Sequence, residues 1–203
     1  MPHQEALAKR LESEEGQVAY HGLGSGKTFS AIHAAEEQQA PLLAIVPAAL
    51  RNNMKKEIAA AGFRRPFMVV SYQEALNRRD EPAFRDFAEK SVVAYDEAHR
   101  AGRAESARSA LPSLLPAKKK LFLTGTPIRN TPEELAPLLN AIQPGTLPMD
   151  PQEFQRKYVN VRRVPVSFWG RLRGQKPEKV MEPKNLPEFE NAVKGLVHHF
   201  PGL

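Results

Sequence analysis

The sequence has 203 residues, of which 41% are hydrophobic and 26% charged, with 12 Gly, 18 Pro and no Cys. This length suits one domain with a buried core, and the composition excludes a disordered or fibrous chain. Without cysteine the chain forms no disulfide and no thiolate metal site. Its apolar runs are far shorter than the roughly 20 residues that span a bilayer, and its N-terminus does not resemble a secretion signal. We therefore expect a soluble protein with no membrane partner, cytoplasmic in a bacterial or phage-infected cell, or nuclear in a eukaryote.

The positive charge is concentrated in one part of the chain. Lys and Arg total 29 against 23 Asp and Glu, and residues 151–187 alone hold nine basic and three acidic side chains, which is the whole surplus of +6. A local basic surplus is typical of a surface that binds a polyanion; a solvated hairpin is the alternative. A separate basic run, Lys118–Lys120, precedes an apolar segment, and we expect it to be a solvated strand edge that prevents mispairing.

Short apolar runs alternate with helical patterns over the first 150 residues. Their apolarity is continuous rather than alternating, which indicates strands that are covered on both faces, as in a parallel sheet. We predict strands at 17–20, 42–46, 67–70, 92–95 and 120–123. We predict helices at 27–37, 49–61, 81–89, 104–111 and 132–142, the last with Thr131 as its N-cap. This alternation predicts a doubly wound α/β fold, a mainly parallel sheet flanked by helices.

The pattern changes after residue 143, where prolines interrupt the helical periodicity. We predict a short helix at 154–158 and a hairpin turned near Gly170 and Gly174. A last amphipathic helix is predicted from Leu186 to Phe200. The chain is thus divided into a core, residues 1–148, and a small basic appendage with a closing helix of the same lobe, residues 149–203.

A glycine-rich segment separates the first predicted strand from the first predicted helix. Its residues are His21, Gly22, Leu23, Gly24, Ser25, Gly26, Lys27 and Thr28. A strand, a glycine-rich turn and a helix are the context that a phosphate-binding loop (P-loop) needs, because successive backbone N–H groups then point at phosphate oxygens near the positive helix end. We predict that residues 22–28 bind ATP, that Lys27 reaches the β- and γ-phosphates, and that Thr28 ligates Mg²⁺.

An acidic pair follows the fourth predicted strand, in the string Asp96-Glu97-Ala98-His99. Residues just beyond the carboxyl end of a parallel strand face the ligand crevice. Asp96 is expected to hold the metal, and Glu97 to orient or deprotonate the attacking water. With Lys27, these two carboxylates are the catalytic candidates. An acidic pair can also cap a following helix, but its pairing with a phosphate loop argues against that interpretation.

The order of the motifs resembles a known family. The strings Gly-Ser-Gly-Lys-Thr, Asp-Glu-Ala-His and Leu123-Thr124-Gly125-Thr126-Pro127 occur in the order of a superfamily-two helicase core. The last string, followed by Asn130, is most similar to the Swi/Snf-type DNA translocases. The resemblance covers nearly the whole chain and implies a RecA-like P-loop fold. It also implies that Thr124, Gly125 and Thr126, with His99, couple the nucleotide site to DNA.

Further site residues follow from the same resemblance. Gln4 matches a glutamine that reads adenine, and Pro47-Ala48 and Ser71-Tyr72 match two elements that contact the DNA backbone. The remaining DNA-binding candidates are Arg129, Arg162 and Arg163; an ion pair within the lobe is the alternative for Arg129. The basic stretch around Arg162 is interleaved with Phe168 and Trp169, which suits electrostatic binding or base stacking.

Two departures from the family pattern are His21-Gly22-Leu23 before the P-loop, and His198-His199 where many relatives carry paired arginines. The first departure indicates a divergent branch of the family, and the second leaves the function of that arginine pair without a counterpart.

The resemblance implies the first ATP-binding lobe of an enzyme that uses ATP and Mg²⁺ to move along double-stranded DNA. In this family a second RecA-like lobe supplies arginines to the γ-phosphate. No further strand–helix series follows Leu203, so we expect that lobe from a longer chain or from another chain, and little hydrolysis without it. One alternative is a nucleotide or small-molecule kinase, which has no use for the Asp-Glu-Ala-His and Thr-Gly-Thr-Pro strings. The other is a non-catalytic nucleotide-binding interaction module, against which the intact Lys27, Thr28, Asp96 and Glu97 argue.

Overall fold

Strands and helices alternate along the part of the chain that the computed structural model describes, which is residues 2–21, 26–98, 107–125, 132–164 and 178–200. The helices are α1 (Pro2–Ser13), α2 (Lys27–Glu37), α3 (Arg51–Ala60), α4 (Tyr72–Arg78), α5 (Pro82–Lys90), α6 (Ala107–Leu114), α7 (Ala136–Ile142), α8 (Pro151–Tyr158) and α9 (Leu186–Val193). The strands are β1 (Gly16–His21), β2 (Leu42–Val46), β3 (Phe67–Ser71), β4 (Val92–Asp96), β5 (Lys119–Thr124), β6 (Val159–Val164), β7 (Glu178–Pro183) and β8 (Val197–Phe200). Two 3₁₀ turns, Ala48–Leu50 and Pro132–Leu135, precede α3 and α7.

Six of these strands form one parallel sheet in the order β3-β2-β4-β5-β1-β8. Every residue of β2 and β4 is buried, as their continuous apolarity predicts for strands covered on both faces. The remaining two strands, β6 and β7, form an antiparallel hairpin. The predicted α/β fold is confirmed, and all five predicted strands are present within one or two residues of their predicted limits.

Two layers of helices cover the sheet and create two apolar cores. On one face the core includes Leu7 and Leu11 of α1, Ala31 of α2 and Ile58 of α3. On the other face it includes Leu76 of α4, Phe84 of α5, Leu111 of α6 and Leu139 of α7. Full burial of each such Leu, Ile or Phe side chain contributes about 1.5–3 kcal/mol. Helix α1 was not predicted from the sequence, although the four-residue spacing of its two buried leucines is typical of a helix.

The predicted helix from Leu186 to Phe200 is wrong in its second half. Helix α9 ends at Val193, Gly195 adopts a left-handed φ of 83°, and residues 197–200 then pair in parallel with β1. The backbone N–H of Val18 donates to Leu196 O at 2.8 Å at the start of this pairing. Without β8 the strand β1 would be a sheet edge with unpaired backbone groups, so strand pairing prevails over the helical periodicity.

The expectation that Lys118–Lys120 form a solvated strand edge is wrong. Lys119 and Lys120 begin β5, which lies between β4 and β1 inside the sheet. The three ammonium groups donate to backbone carbonyls: Lys118 Nζ to Gln38 O at 2.7 Å, Lys119 Nζ to Glu14 O at 2.8 Å, and Lys120 Nζ to Ala141 O at 2.9 Å. These carbonyls lie at the carboxyl ends of α2, α1 and α7, where cations compensate the helix dipole. Burial, as the largest cause, lowers the pKa of Lys120.

The appendage packs on the main core through aromatic side chains. Phe154 is fully buried within the larger core, and its ring centroid lies 5.1 Å from Tyr158 and 6.4 Å from Phe189 of α9. The predicted short helix is confirmed as α8, with Asp150 Oδ1 accepting from the Gln152 N–H at its start. The hairpin is confirmed as well, while its predicted turn at Gly170 and Gly174 lies outside the described residues. The division at residue 148 stays a prediction.

Two further outcomes concern helix limits. The first turn of the predicted helix 132–142 is 3₁₀ rather than α, and its predicted N-cap, Thr131, is not among the described residues.

Of the helices within the described ranges, none combines the length and apolarity needed to cross a membrane.

We expect Lys119→Met to lower the free energy of unfolding by about 1 kcal/mol, because the Glu14 carbonyl loses a charged donor at the end of α1. Urea denaturation measures this, with Lys56→Met on the exposed side of α3 as the matched control. Equal stability of the two variants would show that Lys119 does not cap α1.

Candidate nucleotide site

The site forms where the carboxyl ends of β1, β4 and β5 meet at one edge of the sheet. Because β5 lies between the other two strands, Gly125 at its end separates the loop after β1 from the acidic pair after β4. In an open α/β sheet this edge is where ligands bind. Thr124, the last residue of β5, is buried here. The other predicted coupling residues, His99 and Thr126, lie outside the described residues.

The side chain of Lys27 connects the three strand ends. Its Nζ lies 3.9 Å from Glu97 Oε1. The same amine packs against Gly125 so closely that a Cβ added to this glycine would lie 2.7 Å from Nζ. A side chain at position 125 would therefore displace the lysine. The structure thus brings the predicted catalytic lysine to the predicted acidic pair.

Gly26 ends the phosphate loop and is the N-cap of α2. Its φ of 73° is left-handed, a conformation that glycine adopts without steric cost. Gln4 of α1 is buried, and its Nε2 donates to Gly26 O at 3.2 Å. The structure therefore places the predicted adenine-reading residue beside the loop, although its contact with a base stays a prediction. The loop residues Gly22, Leu23, Gly24 and Ser25 are outside the described ranges.

Asp96 ends β4 and is buried, with 7% of the residue exposed. Within the described part of the chain, its Oδ1 has no hydrogen-bond partner. Burial first, and then the negative charge of Glu97, raise the pKa of Asp96 to about 6, while Lys27 opposes this shift. The next residue, Glu97, has a left-handed φ of 51°, which for a residue with a side chain costs of order 1–3 kcal/mol. Such strain is typical of functional turns.

Thr28 and Asp96 fit the predicted metal in the chemistry of their donors. Mg²⁺ prefers hydroxyl, carboxylate and phosphate oxygens, and it commonly uses one or two protein ligands together with waters and substrate phosphates. The buried Asp96 Oδ1 that lacks a partner is an atom that a cation would satisfy. No group of three or more His, Asp or Glu side chains within the described residues is arranged to hold a metal without a substrate. The hydroxyl of buried Thr28 donates to Glu57 Oε2.

Histidine replaces the first glycine of the usual phosphate-loop pattern, and the sequence did not predict the partners of this side chain. His21 is fully buried at the end of β1, with Nε2 3.1 Å from His198 Nδ1 and Nδ1 3.2 Å from Ser30 Oγ. Burial and then the neighbouring His198 lower the pKa of His21 to about 4, so its ring is neutral at pH 7. These contacts connect β1, β8 and α2 at the base of the loop. Their sequence separation gives no local signal by which they could be predicted.

The predicted DNA-binding residues occupy different environments. Pro47 is half-buried and Ala48 is exposed in the turn after β2. The Ser71 hydroxyl accepts from the Glu74 N–H and caps α4. Tyr72 is buried and donates its hydroxyl proton to Asp96 O at 2.8 Å. The Tyr72 side chain thus supports the acidic strand end from inside the domain, and contacts of Ser71 and Tyr72 with DNA stay predictions.

Arg162 is exposed on β6, as a nucleic-acid contact requires. For Arg163 only its backbone position on the same strand is described, and Arg129 lies outside the described residues. Contacts of these three residues with DNA stay predictions.

A parallel sheet with a Lys-Thr loop at one strand end and an acidic pair at a nearby strand end defines the RecA-like P-loop class. Residues 38–164 match the family model described as the SNF2-related domain, and the chain belongs to this family. The resemblance to Swi/Snf-type, helicase-like ATPase lobes is thereby confirmed.

The chain is similar to several larger proteins. It is 25% identical over 202 residues to a protein of Acanthamoeba polyphaga mimivirus named as an ATP-dependent RNA helicase, L538, which covers 95% of the chain and 44% of that protein. It is 29% identical over 125 residues to the DNA repair and recombination protein RAD54 of Oryza sativa subsp. japonica. This match covers 62% of the chain and 12% of RAD54. The chain thus spans less than half the length of either relative.

The fold is shared with the Sulfolobus solfataricus SWI2/SNF2 ATPase core solved in complex with dsDNA. The TM-score is 0.70 at 17% sequence identity, and the match covers 98% of this chain and 43% of that chain. This likeness confirms the RecA-like fold.

We expect Asp96→Asn to stabilise the protein above pH 6 in the absence of nucleotide and metal. The folded-state pKa of about 6 lies above the ordinary value of 3.8. Between these values the folded state binds more protons than the unfolded state, so its stability falls as pH rises through this range. The variant should exceed the parent by of order 1–3 kcal/mol at pH 8 and approach it near pH 4. Urea denaturation at both pH values measures this, with exposed Asp80→Asn as control. A parent–variant difference that is the same at pH 4 and pH 8 would contradict the assigned pKa.

Proposed function

We propose that this chain is the first ATP-binding lobe of a DNA translocase, and that the lobe binds ATP with Mg²⁺ at the edge formed by β1, β4 and β5. The observation that carries the proposal is the approach of Lys27 Nζ to Glu97, 3.9 Å from Oε1 across Gly125. An amine so placed, at the first turn of α2, can move from the carboxylate to a γ-phosphate in the same crevice. Membership of the SNF2-related domain family supports this assignment.

Each residue of the site has a defined function in this proposal. Backbone N–H groups at the start of α2 and the ammonium group of Lys27 bind the phosphates. Thr28 and Asp96 hold Mg²⁺, which when bound neutralises charge on the β- and γ-phosphates. Glu97 orients the attacking water and accepts its proton. Gln4, adjacent to Gly26, contacts the base.

Double-stranded DNA is the proposed track. The solved core that shares this fold was obtained in complex with dsDNA, and the chain carries a net charge of +6 that lies in residues 151–187. The exposed turn at Ala48 and the exposed side chain of Arg162 lie on the surface, where phosphates can be contacted without reading sequence. Movement along DNA requires a second RecA-like lobe, which the proposal assigns to the remainder of a longer chain or to a partner.

Isothermal titration of the purified chain with ATP and Mg²⁺ tests this function. We expect Lys27→Ala to weaken ATP binding at least tenfold, about 1.4 kcal/mol, because the phosphates lose a direct cation. The matched control is Lys55→Ala, which removes an exposed lysine of α3 and should bind as the parent does. No ATP binding by the parent chain, or equal binding by both variants, would contradict the proposal.

Turnover separates this function from phosphate transfer. We expect slow ATP hydrolysis by the chain alone, since the arginines that stabilise the γ-phosphate come from a second lobe. Transfer of phosphate to a small acceptor would instead indicate a kinase.

A further inference from the structure

A carboxylate outside the sequence motifs contacts the proposed nucleotide site. Glu57 is half-buried on α3, and its Oε2 accepts a hydrogen bond from Thr28 Oγ1. Its Oε1 accepts from Asn53 Nδ2, one turn earlier on the same helix, at 2.6 Å. Both carboxylate oxygens therefore have defined donors, and these two bonds orient the side chain toward α2.

The bond to Glu57 determines what the Thr28 hydroxyl can do. A hydroxyl group has one proton and two acceptor lone pairs. When its proton is donated to Glu57, the lone pairs point away from that carboxylate and remain available to a cation. A carboxylate that accepts a hydrogen bond from this hydroxyl also makes the hydroxyl oxygen a better metal ligand, as outer-shell partners of metal ligands generally do.

Glu57 also acts on the site through its charge. Its carboxylate is hydrogen-bonded to Thr28 Oγ1, so a divalent cation held by that hydroxyl would be attracted by its negative charge.

We propose that Glu57 is a positioning residue that orients the Thr28 hydroxyl for the divalent cation that accompanies the bound nucleotide. This inference rests on the proposed function, since only a metal–nucleotide complex gives Thr28 a cation to ligate. Helix α3 begins directly after the exposed turn at Ala48–Leu50. Glu57 therefore joins the metal ligand to the helix that carries a candidate DNA-contacting turn, and a displacement of α3 would change the orientation of the hydroxyl.

The Mg²⁺ dependence of nucleotide binding tests the inference. A fluorescent ATP analogue is held at fixed concentration with the 203-residue chain while Mg²⁺ is titrated, and its binding is also measured in EDTA. We expect Glu57→Ala to raise the Mg²⁺ concentration at half-saturation about tenfold, the lower end of the effect of outer-shell ligands. Binding without metal should change less than twofold. Glu57→Gln, which keeps an acceptor oxygen, should show a smaller increase of about threefold.

Two controls make this result specific to the Thr28 contact. Glu89→Gln removes an exposed carboxylate of α5 and should leave the Mg²⁺ dependence unchanged. In a Thr28→Val background, Glu57→Ala should have no further effect, because coupled residues are not additive. Circular dichroism verifies folding, and if the alanine variant does not fold, the isosteric glutamine variant carries the test.

The outcomes distinguish this inference from the function on which it rests. A parent that binds no nucleotide at any Mg²⁺ concentration would contradict the proposed function. A parent that binds with Mg²⁺, together with a Glu57→Ala variant of the same Mg²⁺ dependence, would overturn this inference alone. An equal loss of binding with and without metal would overturn it as well, since it would show that Glu57 only supports the fold.

Discussion

The site depends on the position of β5 between β1 and β4. Neighbouring strands lie about 4.8 Å apart, so the loop after β1 and the acidic pair after β4 are separated by about 10 Å. Lys27 crosses this gap over Gly125, the residue that ends the intervening strand and that has no side chain to obstruct the amine. Sheet order, a long cationic side chain and one glycine thus place an ammonium group against Glu97. The hydrogen bonds of Gln4, Glu57 and Tyr72 support the residues around this ion pair.

The arrangement is costly in electrostatic energy. Asp96 is buried beside another carboxylate, its pKa is raised to about 6, and Oδ1 has no partner within the described residues. Burying a charge without compensation destabilises a fold, and active sites commonly retain such unfavourable groups at the expense of stability. The donor set of Asp96 and Thr28 suits a hard cation, which would supply the compensation when the site is loaded. Stability and function are therefore opposed at this one side chain.

Much of this architecture could be predicted from local sequence patterns. The strand at Leu42–Val46 has the predicted limits because its continuous apolarity follows from burial on both faces. The helix at Lys27–Glu37 also has its predicted limits, because a phosphate loop determines where the following helix begins. The meeting of Lys27 with the acidic pair followed from the rule that parallel strand ends share one edge.

The predictions that were wrong and the contacts that were not predicted have a common physical cause. Each depends on contacts between residues that are far apart in the sequence. Residues 197–200 have a helical apolar pattern, yet β1 needs a partner strand and takes them into the sheet. The sequence alone predicts that Lys119 is solvated, but the fold places the carboxyl end of α1 beside it and its amine donates to Glu14 O. The contacts His21–His198 and Thr28–Glu57 join residues far apart in the chain. Three of these four residues lie in segments identified from the sequence, but no motif or periodicity indicates which residues contact each other.

The most direct measurement of the central geometry is zero-length cross-linking of amines to carboxylates by a carbodiimide, followed by mass spectrometry of the peptides. The account predicts an isopeptide bond between Lys27 and Glu97, and its loss when ATP and Mg²⁺ are added. The surface pair Lys157–Glu188, with Nζ 2.8 Å from Oε1, should cross-link under both conditions and serves as the internal control. Formation of the control bond without any link between Lys27 and Glu97 would contradict the account.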